Sequence, residues 1–422
     1  MSIKVLYIDG DGPFGGASRS LFEAVRALPA GSVTPHFAAV HGTALDNYYK
    51  QVAVDSIATR GMTKFDNTRY SHYRGVRWLV LLRELFHFPF TLAILLKARK
   101  RWPDIELIHV NEAVYIIPAL IAKRLFKVPL VVHVRSLNQM DQRSLRTRWL
   151  TRTLQRHADA IVAINENTRA TLSPDLPVDV IQNSFTAKLA PRPDPHIVAK
   201  LDSLRPGSLK VGFVGNLHHS KGLFDMLEAA KLIRAAGRDV EFLIVGGVTI
   251  EDKGLKAWAL ARAGLAQNVQ ADLAAQVERD GLGDCFHLLG ATYDIKCVYD
   301  RLEVLLFPSH YDAPGRPVFE AAFSAVPSIV SVVKPYADTL VDGETGIAIP
   351  AKDPAALARA ILHFADHPEE VKRMGENARQ LADANFYPPT NAKKLLGVYE
   401  RALRAAGRAV AARQELNDIL PS

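Results

Sequence analysis

The stretch VLLFPSHYDAPGRPVFEAAFSAVPSIVS, residues 304–331, decides the fold. An apolar run, VLLFPS (304–309), is followed by a loop rich in proline and glycine. A helical segment, Phe319 to Ala325, comes next, and a second apolar run, SIVSVV (328–333), closes the unit. Two β-prone runs separated by a helix make a crossover and lie parallel, because antiparallel neighbours need only a short turn. Repeated, this unit builds a parallel sheet with helices packed on its faces.

The alternation continues in both directions. Upstream lie the runs LKVGFVG (209–215), EFLIVGG (241–247) and FHLLG (286–290), with helices read at Leu223 to Ala236 and Lys253 to Arg279, and a further helix, Pro354 to His367, lies downstream. The first half repeats the pattern with IKVLYI (3–8), HFAAVH (36–41), LIHV (107–110), LVVHV (130–134), AIVAI (160–164) and VDVI (178–181). Helix-like segments at Ser18 to Leu28, Ala113 to Leu125 and Leu145 to His157 separate them. At Ala190-Pro191-Arg192-Pro193-Asp194-Pro195 three prolines in five residues interrupt both patterns. The expected fold is therefore α/β, with two doubly wound Rossmann-like domains, residues 1–190 and 208–380, joined by a linker at 191–207. A C-terminal helix within 381–422 is expected to pack back on the first domain. Ligands in such sheets bind beyond the carboxyl ends of the strands, here in a central cleft that the two domains face.

Length and composition fit this reading. The 422 residues suit two domains of about 200 residues each. With 48% hydrophobic and 23% charged residues the chain is neither disordered nor fibrous. Cys285 and Cys297 lack metal-ligand spacing, which argues against a disulfide framework, a zinc site or an iron–sulfur centre. No metal and no cofactor are expected. A reducing cytoplasm is the expected compartment, since Ile3 to Ile8 reads as a strand and not as part of a signal peptide.

The net charge of +8 is uneven. Residues 51–150 carry 17 Lys and Arg against 7 Asp and Glu, a surplus of 10, whereas residues 201–422 carry 25 against 28. A basic field confined to one stretch implies an anionic partner. Residues 72–101 mix bulky apolar groups with seven Lys and Arg, but Arg83, Glu84 and Pro89 break any membrane span. In residues 143–156, arginines at 143, 146, 148, 152 and 156 gather over one side of a helix. An ordinary solvated face beside a core helix is the plain alternative. An anionic membrane surface is the sharper reading, and nucleic acid is not expected because no nucleic-acid motif accompanies the charge.

Three loops carry the chemistry. Gly10-Asp11-Gly12-Pro13-Phe14-Gly15-Gly16 follows a strand and precedes a helix, so Gly15 and Gly16 are candidates to bring backbone amides to an anion; a structural turn is the alternative. VGFVGNLHHSKGL (211–223) places Lys221 just before a helix amino end, where a cation and free amides suit a diphosphate. Asp312 and Glu320 stand eight positions apart with Gly315 and Arg316 between, one on a loop and one on the next helix. One carboxylate can then accept from ribose hydroxyls while the other faces a sugar. In the first half, His109 lies at a strand end, and His133 and Arg135 share a face of LVVHV by the period of two. A satisfied structural histidine is the more ordinary reading of any one of these.

Taken in order, VGFVGNLHHSKGL, LIVGG, HLLG, the 304–331 stretch and LVDGETGIAI resemble family 4 of the retaining, nucleotide-sugar-dependent glycosyltransferases, which have the GT-B fold. The likeness spans nearly the whole chain. It implies that Glu320 matches the second glutamate of the family's E-x7-E motif and holds the nucleotide ribose. Asp312 takes the place of the first glutamate, near the donor sugar, with one methylene less. Lys221 matches the diphosphate lysine, and Gly15-Gly16 the first-domain loop that approaches the same phosphates. Gly290, in the Leu289-Gly290-Ala291 loop, falls near the base, with Gly315 and Arg316 also on the donor side. His133 is implied as catalytic, with His109 and Arg135 as acceptor or phosphate ligands. Asn216 replaces an arginine common in the family, Lys334-Pro335 replaces a glycine pair, and Asp338 stands where a glutamate is common. The implied activity is metal-independent transfer of a hexose from a nucleotide-diphosphate donor to a hydroxyl of a glycan or lipid-linked glycan, with retention of configuration, in the cytoplasm or peripherally on the inner face of the membrane. The rivals are a catalytically silent relative acting as an interaction subunit and a GT-B nucleotide-sugar epimerase.

Overall fold

A computed structural model describes residues 2–69, 80–141, 143–186, 194–247, 269–292 and 294–419, with side chains to residue 407. The chain divides into two compact units, Met1–Phe185 with Phe386–Ser422, and Thr186–Asn385.

The first unit is built on seven parallel strands: β1 (Ile3–Asp9), β2 (Val33–Val40), β3 (Asp55–Thr59), β4 (Leu107–Val110), β5 (Leu130–Val134), β6 (Ala160–Ala163) and β7 (Val178–Val180). Their order is β3-β2-β1-β4-β5-β6-β7. Alternation along β1 feeds two separate cores. Leu6 and Ile8 join a cluster with Ile94, Leu95, Ala119 and Leu150 from helices Val80–Arg101, Ile116–Phe126 and Leu145–His157. Val5 and Tyr7 join another, with Leu21, Phe22, Leu395 and Tyr399 from helices Gly16–Arg26 and Pro388–Ile419. The last helix of the chain is thus a core element of its first unit.

The second unit holds six parallel strands: β8 (Leu209–Val214), β9 (Val240–Val245), β10 (Phe286–Gly290), β11 (Val304–Phe307), β12 (Ser328–Ser331) and β13 (Gly346–Ile349). Their order is β10-β9-β8-β11-β12-β13. In each sheet the chain reverses its direction of growth once, between β1 and β4 and between β8 and β11. Loops diverge at these switch points and leave room for a ligand.

Two strands go beyond the runs read from the sequence. The edge strand β3 has a single fully apolar inward residue, Ile57, and β13 is only four residues long. Residues 191–207, read as a linker, contain the helix Pro195–Asp202, whose Ile197 and Leu201 are buried in the second unit's core. Asp194 caps it by accepting from the His196 and Ile197 amides, and Pro195 occupies a first-turn position where no amide is needed. The same prolines that disrupt an element can therefore start one. Residues 72–79 of the basic segment, 191–193 of the linker and 253–268 of the helix read at Lys253 to Arg279 lie outside the described residues.

Candidate functional site

In the second unit, the loops after β8 and β11 form one block. Gly222 has φ of 74°, and a Cβ there would lie 2.0 Å from the Pro308 carbonyl oxygen, so only glycine lets the two loops meet. The Ser220 carbonyl accepts from the His310 amide at 2.8 Å. His310 Nε2 in turn lies 2.8 Å from Asp225 Oδ2 on the first turn of the helix Leu223–Ala235.

Lys221 sits within this block. Its ammonium lies 5.2 Å from the centre of the Phe307 ring and 5.4 Å from that of Tyr311. Among the described residues no carboxylate pairs with it. Burial lowers its pKa, because water is removed from the cation and no anion replaces it. An anion placed there would relieve both costs.

The carboxylates read from the sequence go separate ways. Glu320 is buried on the helix Arg316–Ala322, where Oε2 accepts from the Tyr299 hydroxyl at 3.0 Å and Oε1 from Arg316 Nε at 3.1 Å. Arg316 Nη2 also lies 3.1 Å from Oε1, so the carboxylate is held by a charged partner four residues earlier on the same helix. Asp312 Oδ1 accepts from the Val333 amide at 2.8 Å, which ties its loop to the chain leaving β12. Gly315 caps the helix, and a Cβ there would meet the Phe307 ring at 2.3 Å, so the loop lies flat against the same ring that flanks Lys221. Gly290 ends β10 with φ of 80°, and its carbonyl accepts from the Gly246 amide at 2.9 Å.

In the first unit, Gly15 caps the helix Gly16–Arg26, but its amide donates to the Pro13 carbonyl at 2.9 Å. Of the glycine pair, Gly16 opens the helix and Gly15 shapes the turn before it. Asp9, at the end of β1, is fully buried and accepts from Tyr49, Ser18 and Asn111. Burial, with the charge of Asp11 nearby, raises its pKa to about 6. Glu112 is raised to about 7 by burial, although it accepts from Ser136 at 2.8 Å and the Arg135 amide at 3.2 Å.

Arg135 and His133 come together as the strand period requires, with Arg135 Nη2 3.3 Å from His133 Nδ1. The Arg135 guanidinium also reaches Asn111 Oδ1 at 2.7 Å and Asn183 Oδ1 at 2.9 Å. His133, Arg135, Asn183 and Ser20 line a small cavity. His109 stacks beside this group, 5.4 Å ring to ring from His133, and its Nδ1 lies 2.6 Å from the Tyr399 hydroxyl. The Nε2 atoms of both histidines are buried without a hydrogen-bond partner. Burial lowers both pKa values, His109 to about 3, and the Arg135 charge adds to the effect, so the neutral ring is favoured in each.

The sequence reading missed Tyr311, His310, Asp225, Asn111, Asn183 and Tyr399. Tyr311 and His310 stood in the quoted stretch, but the others hold their positions through tertiary contacts that no local spacing signals. Among the described residues, no three His, Cys, Asp or Glu side chains gather as a metal site, and no helix is long and apolar enough to cross a membrane.

Residues 202–381 match the family described as glycosyl transferases group 1, and residues 14–185 match glycosyltransferase family 4. The chain is 28% identical over 284 residues to the lipopolysaccharide core biosynthesis mannosyltransferase LpcC of Rhizobium leguminosarum bv. viciae, covering 67% of this chain and 75% of that one. It is 26% identical over 332 residues to a 2-deoxystreptamine glucosyltransferase of Streptomyces kanamyceticus, covering 73% and 80%. Among solved structures, Anabaena HepE in complex with UDP and glucose superposes with a TM-score of 0.70 at 18% identity, covering 94% of this chain and 99% of that one.

Proposed function

The chain belongs to the family 4 glycosyltransferases of GT-B fold, and from that membership we propose that it moves a hexose from a nucleotide-diphosphate donor to a hydroxyl of a glycan or lipid-linked glycan, with retention at the anomeric carbon. The observation that carries the proposal is Lys221, a cation near the faces of two aromatic rings at the β8/β11 switch point and, among the described residues, without a paired carboxylate. A donor diphosphate is the anion such a site lacks. Its negative charge grows as the glycosidic bond breaks, so Lys221 and the amino end of the following helix stabilise the transition state more than the ground state.

The remaining roles follow from chemistry. In this reading, which the family resemblance supports, Glu320 accepts from the ribose hydroxyls, and the Asp312 loop approaches the sugar. As the acceptor oxygen bonds to the anomeric carbon, the leaving phosphate oxygen takes the acceptor's proton, so no strong protein base is required. On the same reading His133 and Arg135, which line a small cavity together, bind an acceptor hydroxyl or phosphate in the first domain. In this reading the cations of the protein do the work that a metal would otherwise do. The two free cysteines, Cys285 and Cys297, accord with a reducing cytoplasm. The basic field of residues 51–150 engages an anionic membrane surface, and the relative named for lipopolysaccharide core biosynthesis supports a lipid-linked acceptor.

A thermal-shift series with UDP-, GDP- and ADP-sugars tests the donor site. The matching donor at 100 times its dissociation constant adds about 2.7 kcal/mol of stability. Product analysis by the anomeric proton coupling then tests retention. Turnover that survives full chelation supports the metal-free reading, and complete, reversible loss with EDTA overturns it. A protein that binds no nucleotide-sugar and transfers none is a silent relative.

A further inference from the structure

The helix Val80–Arg101 is built the wrong way round for a soluble surface. Its inward side carries Glu84 and Thr91, both buried, together with Ile94, Leu95 and Ala98. Glu84 accepts from the Lys64 amide at 2.6 Å, and Thr91 Oγ1 accepts from the Thr63 amide at 2.9 Å, so the polar groups are fixed by the loop that follows β3. The outward side carries Leu82, Leu85, Phe86, Leu92 and Leu96, exposed by 63%, 70%, 67%, 38% and 48%. These positions recur at helical spacing and form one stripe. Lys97, Lys100 and Arg101 stand at its carboxyl end.

Helix Leu145–His157 lies on the same face of the sheet, since both contribute to one core cluster. It is joined to the first through the loop after β3: Trp149 packs on Phe65 with ring centres 4.4 Å apart, and Arg146 Nη1 donates to the Asp66 carbonyl at 3.1 Å. Leu145 is 79% exposed and Trp149 40% exposed on this second helix, among its arginines. An apolar stripe of this size marks an interaction surface. A second copy would bring one basic field against another, whereas an anionic bilayer supplies both an apolar layer and opposite charge.

We propose that the helix Val80–Arg101 lies in the plane of an anionic membrane surface with Leu82, Leu85, Phe86 and Leu96 inserted below the headgroups, and that Leu145 and Trp149 anchor beside it. This rests on the membrane-facing reading of the basic field and changes its physics. Attraction by charge alone is reversed by salt, while inserted side chains hold after the charges are screened.

The test is flotation of the full chain with phosphatidylglycerol–phosphatidylcholine vesicles and with phosphatidylcholine vesicles, at low and high salt. The expected result is binding to the anionic vesicles that keeps a salt-resistant fraction, and a loss of at least about tenfold in that fraction in the triple variant Leu82→Ser, Leu85→Ser, Phe86→Ser, because three large apolar groups no longer leave water. An environment-sensitive dye on Leu85→Cys gives a second readout and should shift to the blue on binding. Binding that salt removes entirely, with no dye shift, overturns insertion while leaving the electrostatic reading intact. No binding to either vesicle overturns both. A triple variant that turns a dimer into a monomer in sedimentation assigns the stripe to self-association and overturns the proposal. Transfer to a soluble acceptor is measured alongside; its preservation in the triple variant separates this surface from the glycosyltransferase site.

Discussion

The Tyr399 hydroxyl lies 2.6 Å from Nδ1 of His109, a contact between residues 290 positions apart. It joins the last helix of the chain to the end of β4, and Tyr7 extends the pair, its hydroxyl 3.3 Å from that of Tyr399. Tyr399→Phe removes a buried partner from both. Unfolding in urea should lose about 1–3 kcal/mol, the cost of an unsatisfied buried polar group. An unchanged midpoint would show that the two hydroxyls are not shared in solution.

Lys221→Met keeps the apolar stem between Phe307 and Tyr311 and deletes only the charge. Turnover should fall by about 100-fold or more, as expected for losing one group that stabilises developing charge. Binding of the free nucleoside should barely change. Equal losses in both measurements would mean that Lys221 acts through the fold of its loop.

Glu320→Ala removes the carboxylate proposed to accept from the ribose hydroxyls, together with its bonds to Tyr299 and Arg316. Donor affinity should drop by at least about tenfold, since hydrogen bonds to a charged group are worth roughly 1.5–3 kcal/mol. Calorimetry with the nucleoside diphosphate checks this, and wild-type affinity would take Glu320 out of the site.

Gly222→Ala sets a Cβ 2.0 Å from the Pro308 oxygen at a left-handed φ. The cost should exceed the roughly 1 kcal/mol of an ordinary glycine replacement, because the loop must move as well as change conformation. Diphosphate binding should weaken along with stability. A variant as stable as the parent would mean that the β8 and β11 loops are not held together.

The pH profile follows from four buried groups of the first unit. Asp9 and Glu112 have folded pKa values of about 6 and about 7, above their ordinary values, so their contribution is full at low pH and is lost as pH rises through those values. His109 and His133 are depressed, His109 to about 3, so their contribution is full above the ordinary histidine value and is lost as pH falls. The opposing trends partly offset each other below about pH 6.5, where the unfolded histidines begin to take up protons. Below about pH 4 both carboxyls are largely protonated in folded and unfolded chain alike, and stability falls with the histidines. Glu112→Gln should therefore make the urea midpoint decline once pH drops below about 6.5. A profile parallel to the parent would show that Glu112 is not protonated in the folded chain.

The fold was legible where one residue pattern had one explanation. LIHV and LVVHV coincide with β4 and β5 because a strand buried on both faces reads as an unbroken apolar run. The edge strand β3 carries too little apolar pattern to be read. Lys221 was singled out from the loop after β8, and Gly315 and Glu320 from their spacing after β11, whereas Asn111, Asn183 and Tyr399 meet Arg135 and His109 only after folding. The stripe on Val80–Arg101 escaped because that helix is apolar on both sides, and composition cannot tell which side meets the core. Glu84 marks the difference: read in the sequence only as a break in a membrane span, its carboxylate is buried against the Lys64 amide.

The division of the first unit into Met1–Phe185 and Phe386–Ser422 sets a schedule on the ribosome. Its seven strands emerge early, but the helix bearing Leu395, Val398 and Tyr399 follows only after the whole of Thr186–Asn385 has been translated. At roughly 5–20 residues per second that delay is about 10–40 s. Throughout it the core around Val5, Tyr7, Val131 and Val162 has Leu21, Phe22 and Val25 but lacks Leu395, Val398 and Tyr399. The nascent chain therefore carries this core only partly closed, and a message truncated after the second unit yields a protein whose second core is complete while its first is missing a helix.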